Sequence, residues 1–225
     1  MDPHLSFFAR WGAFYESTPF LGPVLRAQQD LAIERLAARA GERILDLGCG
    51  PGRALEALSE SGATLLGLDY SGEMLRGANR HAPVIRGSAV DLPIESGSLD
   101  GILCTNSFHH YPEPQGVLRE MRRVLKLGGR LVLVDPNLDH PLARLTIYGG
   151  EALLFGMGVH LHSPDEWSGM FKQAGFARSQ VEPIVPAPLR WLLNRKVVPE
   201  QLSRVPGISA LADPLAVSLC AMAWA

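Results

Sequence analysis

The residues most able to do chemistry lie in one stretch, Ile44-Leu45-Asp46-Leu47-Gly48-Cys49-Gly50-Pro51-Gly52-Arg53. Glycines straight after a buried strand let the backbone turn sharply and approach a ligand closely. Three of them in five residues exceed what a turn needs. Two further acids stand at comparable places. Asp69 ends the next apolar run, about 20 residues on, where a carboxylate accepts from ribose hydroxyls. Asp91 follows a third short run in Gly87-Ser88-Ala89-Val90-Asp91-Leu92-Pro93. Asp46 lies inside an apolar strand, where an unpaired charge is costly, so it is expected to meet a partner through the glycine-loop backbone. A dinucleotide would want G-x-G-x-x-G. Here the third glycine comes one residue early and Arg53 holds its place. Three acids around a glycine loop suit ribose hydroxyls and positive charge, and suit a pyrophosphate poorly.

The elements that must hold these groups read as an alternation of strand and helix. Residues 24–40 predict a helix stopped by Gly41. Strands are expected at 43–47, 64–69, 84–86, 101–106 and 130–134, with helices at 54–61, after a Ser71 cap, and at 114–126. The last has Val117, Leu118, Met121, Val124 and Leu125 on one face, and Gly128-Gly129 to stop it. Such an alternation gives an α/β fold with a parallel sheet covered on both faces. After Asp135 the rhythm breaks. Residues 136–162 are apolar and glycine-broken, and Ser163-Pro164-Asp165-Glu166 then announces a capped helix. Strands at 176–184 and 214–224 and a helix around 189–195 complete the reading.

Composition excludes several classes. The 225 residues are 47% apolar and 20% charged with a formal net charge of −2, an ordinary globular balance without the basic face that nucleic acid requires. Cys49, Cys104 and Cys220 are dispersed and odd in number, which argues against a disulfide scaffold or a zinc site. No secretory leader is evident. The greasiest stretch, 145–159, is broken by Gly149, Gly150 and Glu151, too short for a membrane span. A cytoplasmic protein is expected.

ILDLGCGPGR, GLDYS, GSAVDLPIESGSLDGILCTNSFHHY and VLREMRRVLKLGGRLVLVD resemble, in that order, the motifs of the class I S-adenosylmethionine-dependent methyltransferases. The likeness is strongest to the ubiquinone/menaquinone-methyltransferase-like small-molecule group, the type 11 domain. It covers residues 10–135 and resumes at 163–184. The resemblance implies a doubly wound, Rossmann-like seven-stranded sheet of order 3-2-1-4-5-7-6 with the last strand antiparallel. It implies residues 1–40 as a helical lid, 41–135 as the cofactor-binding core, 136–162 as an apolar cap insertion and 163–225 as the completion of the core. The implied cofactor is S-adenosylmethionine, leaving as S-adenosylhomocysteine. Gly48, Cys49, Gly50 and Gly52 would pass its methionine part. Asp46 would hold the loop and the amino group, Asp69 the ribose, and Tyr70 would pack on adenine. Asp91 would take the adenine amino group and Leu92 supply a backbone donor. Asn106 would lie beneath the sulfonium, and Tyr15 would close from the N-terminal side. The family's usual Tyr-Asp pair is Tyr15-Glu16 here.

Methyl transfer needs a base only where the acceptor must lose a proton. Histidine titrates in the right range, and His109, His110, His160 and His162 are the candidates. Tyr111 follows the first pair. His160 and His162, two apart, share a side if extended. Structural duty is the alternative for all four, and without carboxylate partners no metal is expected. Phe7, Phe8, Trp11, Phe14 and Tyr15 form a stripe that either packs on the domain or closes over the site. With Leu153, Leu154, Phe155, Met157 and Val159 as an opposite wall, the acceptor is expected to be a small, lipophilic molecule. The other readings are a non-catalytic methyltransferase-fold binding or assembly protein and, more remotely, a nucleotide-dependent oxidoreductase. Oligomeric state is not legible.

Overall fold

The structure, a computed structural model, describes residues 21–152, 158–184 and 218–225. A first helix, α1 (Leu21–Leu36), precedes β1 (Arg43–Leu47), α2 (Arg53–Leu58), β2 (Thr64–Asp69), α3 (Gly72–Ala78) and β3 (Val84–Arg86). Then come β4 (Leu99–Thr105), a tight turn of helix at Phe108–His110, α4 (Pro114–Val124) and β5 (Leu125–Pro136). A short helix α5 (Pro141–Arg144) runs into a wide π-helical segment, Leu145–Ala152, and is followed by α6 (Pro164–Gln173), β6 (Arg178–Ile184) and β7 (Ser218–Trp224). The expected N-terminal stripe with Tyr15, residues 153–157 of the wall and the helix around 189–195 lie outside the described residues.

The seven strands form one sheet in the order β3-β2-β1-β4-β5-β7-β6. The first five pair in parallel, and β7 runs antiparallel to both β5 and β6, as expected. β1 shows why its sequence is almost wholly apolar. Leu45 and Leu47 enter the core on one face, with α4 and α6, while Ile44 enters the core on the other, with α1, α2 and α3. A strand covered on both sides cannot alternate.

Local signals placed several helices correctly. Ser71 caps α3 by accepting from the Met74 N–H. Ser163 and Glu166 form the reciprocal capping box that opens α6. Several boundaries moved. α1 ends at Leu36, not near Gly41, because the Arg130 guanidinium draws in the Leu36 and Ala37 carbonyls, and Ala37 turns left-handed at φ +48°. α4 ends at Val124, and β5 starts five residues before the expected Arg130. Leu125 docks beside Leu99, a turn at Gly128 interrupts the register, and pairing resumes at Gly101–Arg130. The described part of the expected lid, α1, packs Ala32 and Leu36 fully into the core. Its Gln28 donates to the Ser218 hydroxyl at 2.7 Å.

The strand order reverses between β1 and β4. In open α/β sheets, ligands bind at the carboxyl ends of the strands at such a switch point. Gly48–Gly52, Asp69 and the turn after β4 all fall at that edge.

Candidate active site

The glycine loop is shaped by close approach on two sides and left open at its middle. At Gly48, φ +73°, a Cβ would stand 2.7 Å from the Ser107 Cβ and 3.0 Å from the Tyr111 hydroxyl. At Gly52 it would meet the Ala78 Cα at 2.5 Å, so α3 packs against the loop backbone. At Gly50, φ +51°, no described residue would come within 4 Å of a Cβ. The first and last glycines seat the loop, and the middle one faces open space.

Asp69 organises this loop. Its Oδ2 accepts from the Gly50 N–H at 2.9 Å and its Oδ1 from the Ser71 N–H at 2.8 Å. Each carboxylate oxygen retains acceptor capacity. Burial raises the Asp69 pKa, opposed by the backbone donors of Ser71, Gly50 and Tyr70. Asp46 does not hold the loop backbone, as its position had suggested. It is 1% exposed, and its Oδ2 is buried with no hydrogen-bond partner among the described residues. Burial, and then the neighbouring Asp69 charge, push its pKa up to about 7. A buried acid with an unsatisfied oxygen calls for a cationic or donor group that the described residues do not supply.

The expected adenine end is revised. The Leu92 N–H donates to Glu120 Oε2 at 2.9 Å and is already engaged. Arg123 pairs with Glu120 at 2.7 Å and donates to the Leu92 and Ile94 carbonyls. That segment is thus tied to α4. Asp91 is exposed, in a bridge with Ser88. Ser88 and Ala89 follow β3 more directly, and Ala89 is buried. Sequence reading passed over both because neither carries a charge. Tyr70 is 59% exposed at the same edge, with its ring available for stacking.

The turn after β4 brings further candidates to the loop. Asn106 adopts φ +50° and its N–H donates to the Val134 carbonyl. Ser107 donates to the Leu47 carbonyl at 3.3 Å and lies 3.3 Å from the Tyr111 hydroxyl. Cys49 is buried, and burial drives its thiol pKa far above the usual range, so it acts here as a small apolar group.

The four candidate histidines converge, but not equivalently. The His109 and His110 rings are 4.0 Å apart. His109 Nδ1 lies 2.9 Å from Asp135 Oδ1, both side chains buried. His110 has its pKa pushed well down by burial and then by His109. The exposed His160 contributes its backbone N–H, which donates to the His109 carbonyl at 2.7 Å. The His162 ring lies tilted 5.1 Å from Trp167 and edge-on 5.9 Å from Phe108. Its pKa is lowered chiefly by burial. Among the described residues, no group of three or more His, Cys, Asp or Glu side chains could hold a metal ion.

The sheet order and the glycine loop at its switch point define the class I methyltransferase fold. Residues 45–133, which span the glycine loop and the strands beside it, match the family described as a methyltransferase domain. The chain is similar to the ubiquinone biosynthesis O-methyltransferase of Xanthomonas axonopodis pv. citri, with 29% identity over 183 residues, covering 74% of this chain and 77% of that one. Of the same-named protein from Xanthomonas oryzae pv. oryzae the chain spans 62%. Two solved structures share the fold. One is the methyltransferase in complex with the Haloferax volcanii Trm112 activator, with TM-score 0.75, 21% identity and coverage of 98% and 96% of the two chains. The other is Haemonchus contortus phosphoethanolamine N-methyltransferase 2 with bound S-adenosylmethionine, with TM-score 0.67, 20% identity and coverage of 88% and 52%. No helix among the described residues is long and apolar enough to cross a membrane.

Proposed function

We propose that the chain transfers the methyl group of S-adenosylmethionine to a small, apolar acceptor, at oxygen, by in-line displacement. The observation that carries this reading is Asp46: a buried acid near Asp69, two residues before the glycine loop, its Oδ2 without a partner among the described residues. The cofactor's ammonium is a cation that fits it.

In this reading Gly48, Gly50 and Gly52 let the backbone run along the methionine part, and Asp46 takes the ammonium. Asp69, fixed by Gly50 and Ser71, offers its remaining lone pairs to the ribose hydroxyls, and Tyr70 covers adenine. The adenine edge meets Asp91, Ser88 and the Ala89 backbone, since the Leu92 N–H is committed to Glu120. Asn106 lines the sulfonium side. When bound, the cofactor supplies an electrophilic methyl on a sulfonium. The protein aligns the acceptor, excludes water and receives any proton released. Leu145 and Tyr148, exposed large side chains on the segment after β5, extend an apolar surface for the acceptor. The oxygen preference is supported by the names of the Xanthomonas relatives. Residues 1–40 as a lid and 136–162 as a cap follow from the same reading.

Calorimetry with S-adenosylmethionine and S-adenosylhomocysteine tests the cofactor site, and binding of neither removes the proposal. Methyl-labelled cofactor incubated with a lipid-soluble metabolite extract tests turnover. A labelled product separates an enzyme from a binding or assembly protein that keeps the fold.

A further inference from the structure

Arg53 stands one residue past the glycine loop, where a dinucleotide fingerprint has its third glycine. It opens α2, a helix that begins at Gly52 without a side-chain cap. Its guanidinium reaches across to α1 instead. Nη1 donates to Gln29 Oε1 at 3.1 Å and Nη2 to Asp30 Oδ1 at 3.0 Å. The other end of the same Gln29 amide, Nε2, donates to Thr105 Oγ1 at 3.3 Å.

Thr105 is the last residue of β4, and Asn106 follows it at φ +50°. Arg53 follows the loop that grows out of β1. β1 and β4 are neighbours in the sheet, and the strand order reverses between them. A single side-chain amide therefore spans the switch point where ligands bind in such sheets. On the face that carries α4 and α6, Ser107 meets Cys104 and closes the same gap by donating to the Leu47 carbonyl at 3.3 Å. The two walls of the cleft are thus tied on both faces.

α1 does not need Gln29 to stay docked. Ala32 and Leu36 are fully buried, Gln28 is tied to Ser218, and Arg35 pairs with Glu182 of β6 at 2.9 Å. Gln29 is half-buried, as are Arg53, Thr105 and Asn106, so the bridge runs along the margin of the cleft. A carboxamide offers an acceptor and a donor together, which lets one side chain hold a guanidinium and a hydroxyl at once.

We propose that Gln29 is a positioning residue for the cofactor: by holding Arg53 and Thr105 together it sets the spacing between the glycine loop and the turn at Asn106. The inference rests on the methyltransferase reading above, in which the methionine part of S-adenosylmethionine lies between those two walls. Gln29 acts through Arg53 and Thr105, not on the cofactor itself. Without it each wall moves separately, and the ordering that the bridge supplies in advance is charged against binding.

Calorimetry with S-adenosylhomocysteine on the full chain tests this. Gln29→Leu, similar in size but without either tie, should weaken binding on the order of 10-fold. Hydrogen exchange should quicken at the Gly52 and Asn106 amides, one on each wall, which donate to the Cys49 and Val134 carbonyls. Gln29→Glu still accepts from Arg53 and from the Thr105 hydroxyl, and should bind within about threefold of wild type. Arg35→Ala loosens α1 near its C-terminus and should bind within about twofold of wild type, whereas a merely structural role for α1 would make the two losses alike. Thr105→Val should weaken binding by itself, and combined with Gln29→Leu it should add nothing, because both cut one bridge. Unchanged affinity in Gln29→Leu, losses that add in the double variant, or an Arg35→Ala loss as large as that of Gln29→Leu overturns the proposal. Should Gln29→Leu not fold, Thr105→Val decides, and unchanged affinity there overturns it. Failure of the wild type to bind S-adenosylhomocysteine strikes the methyltransferase reading itself, and this proposal with it; a wild type that binds beside variants that bind equally well strikes this proposal alone.

Discussion

Asp69 Oδ2 accepts from the Gly50 N–H at 2.9 Å across nineteen residues of sequence. One carboxylate thus shapes the glycine loop and stands where the ribose is to be bound. Loop geometry and ligand recognition are coupled through a single side chain.

Asp69→Ala should therefore weaken S-adenosylmethionine binding by about 1–3 kcal/mol and also loosen the loop. Asp69→Asn keeps an acceptor for one donor and should lose less. Calorimetry on both variants, with hydrogen exchange at the Gly50 amide, separates the two effects. Unchanged affinity in Asp69→Ala would contradict the assignment.

Asp46 makes stability and affinity respond to pH in opposite senses. Its pKa rises from 3.8 unfolded to about 7 folded, so between those values the folded state binds more protons. Stability without cofactor should fall as pH rises from about 4 to 7 and then level. Cofactor binding needs the carboxylate, so affinity should strengthen as pH climbs toward 7. Asp46→Asn should raise the Tm at pH 8 by about 2–4 °C for each ~1 kcal/mol relieved, while weakening cofactor binding. Melting curves and titrations at pH 5.5 and 8 check both signs.

Gly48 and Gly50 should fail differently when changed to alanine. Both have positive φ, a conformation that costs an L side chain roughly 1–2 kcal/mol. Gly48→Ala adds a collision with Ser107 and should be clearly destabilised in a melt. Gly50→Ala meets no described residue within 4 Å and should stay folded, yet lose cofactor affinity because its methyl fills the ligand's space.

Glu120 and Arg123 should matter to the site from a distance. Arg123 chiefly, and the Leu92 N–H, lower the Glu120 pKa despite some burial. Their stabilisation is present above the unfolded glutamate pKa and is lost as pH falls through the lowered folded value. Glu120→Ala should speed hydrogen exchange at the Leu92 amide and cost about 1–2 kcal/mol at pH 7. The difference from wild type should shrink toward pH 3.

Features carried by neighbouring residues were legible in the sequence. The Ser71 cap, the Ser163–Glu166 box and the glycines after β1 depend on contacts a few positions apart, so pattern reading finds them. The engagement of the Leu92 N–H by Glu120 spans 28 residues, and the His109–Asp135 contact spans 26. Neither leaves a local trace. Asp46 was correctly singled out as a costly acid, but the donor expected for it, the loop backbone, went to Asp69 instead. α1 stops early because Arg130, far along the chain, takes its last carbonyls. Charge drew attention to Asp91, whereas the exposed Ser88 and the buried Ala89, which follow β3 more directly, carry no charge to mark them.

β7 lies between β5 and β6 although it follows both in the chain. Among the described residues β6 pairs with β7 alone, so its place in the sheet depends on a strand that follows it in the chain. The antiparallel half of the sheet can therefore close only once the last strand is available, whereas the parallel half needs nothing beyond β5. A chain cut before Ser218 should retain the glycine loop yet leave β5 bare along one side, a template for association with other copies.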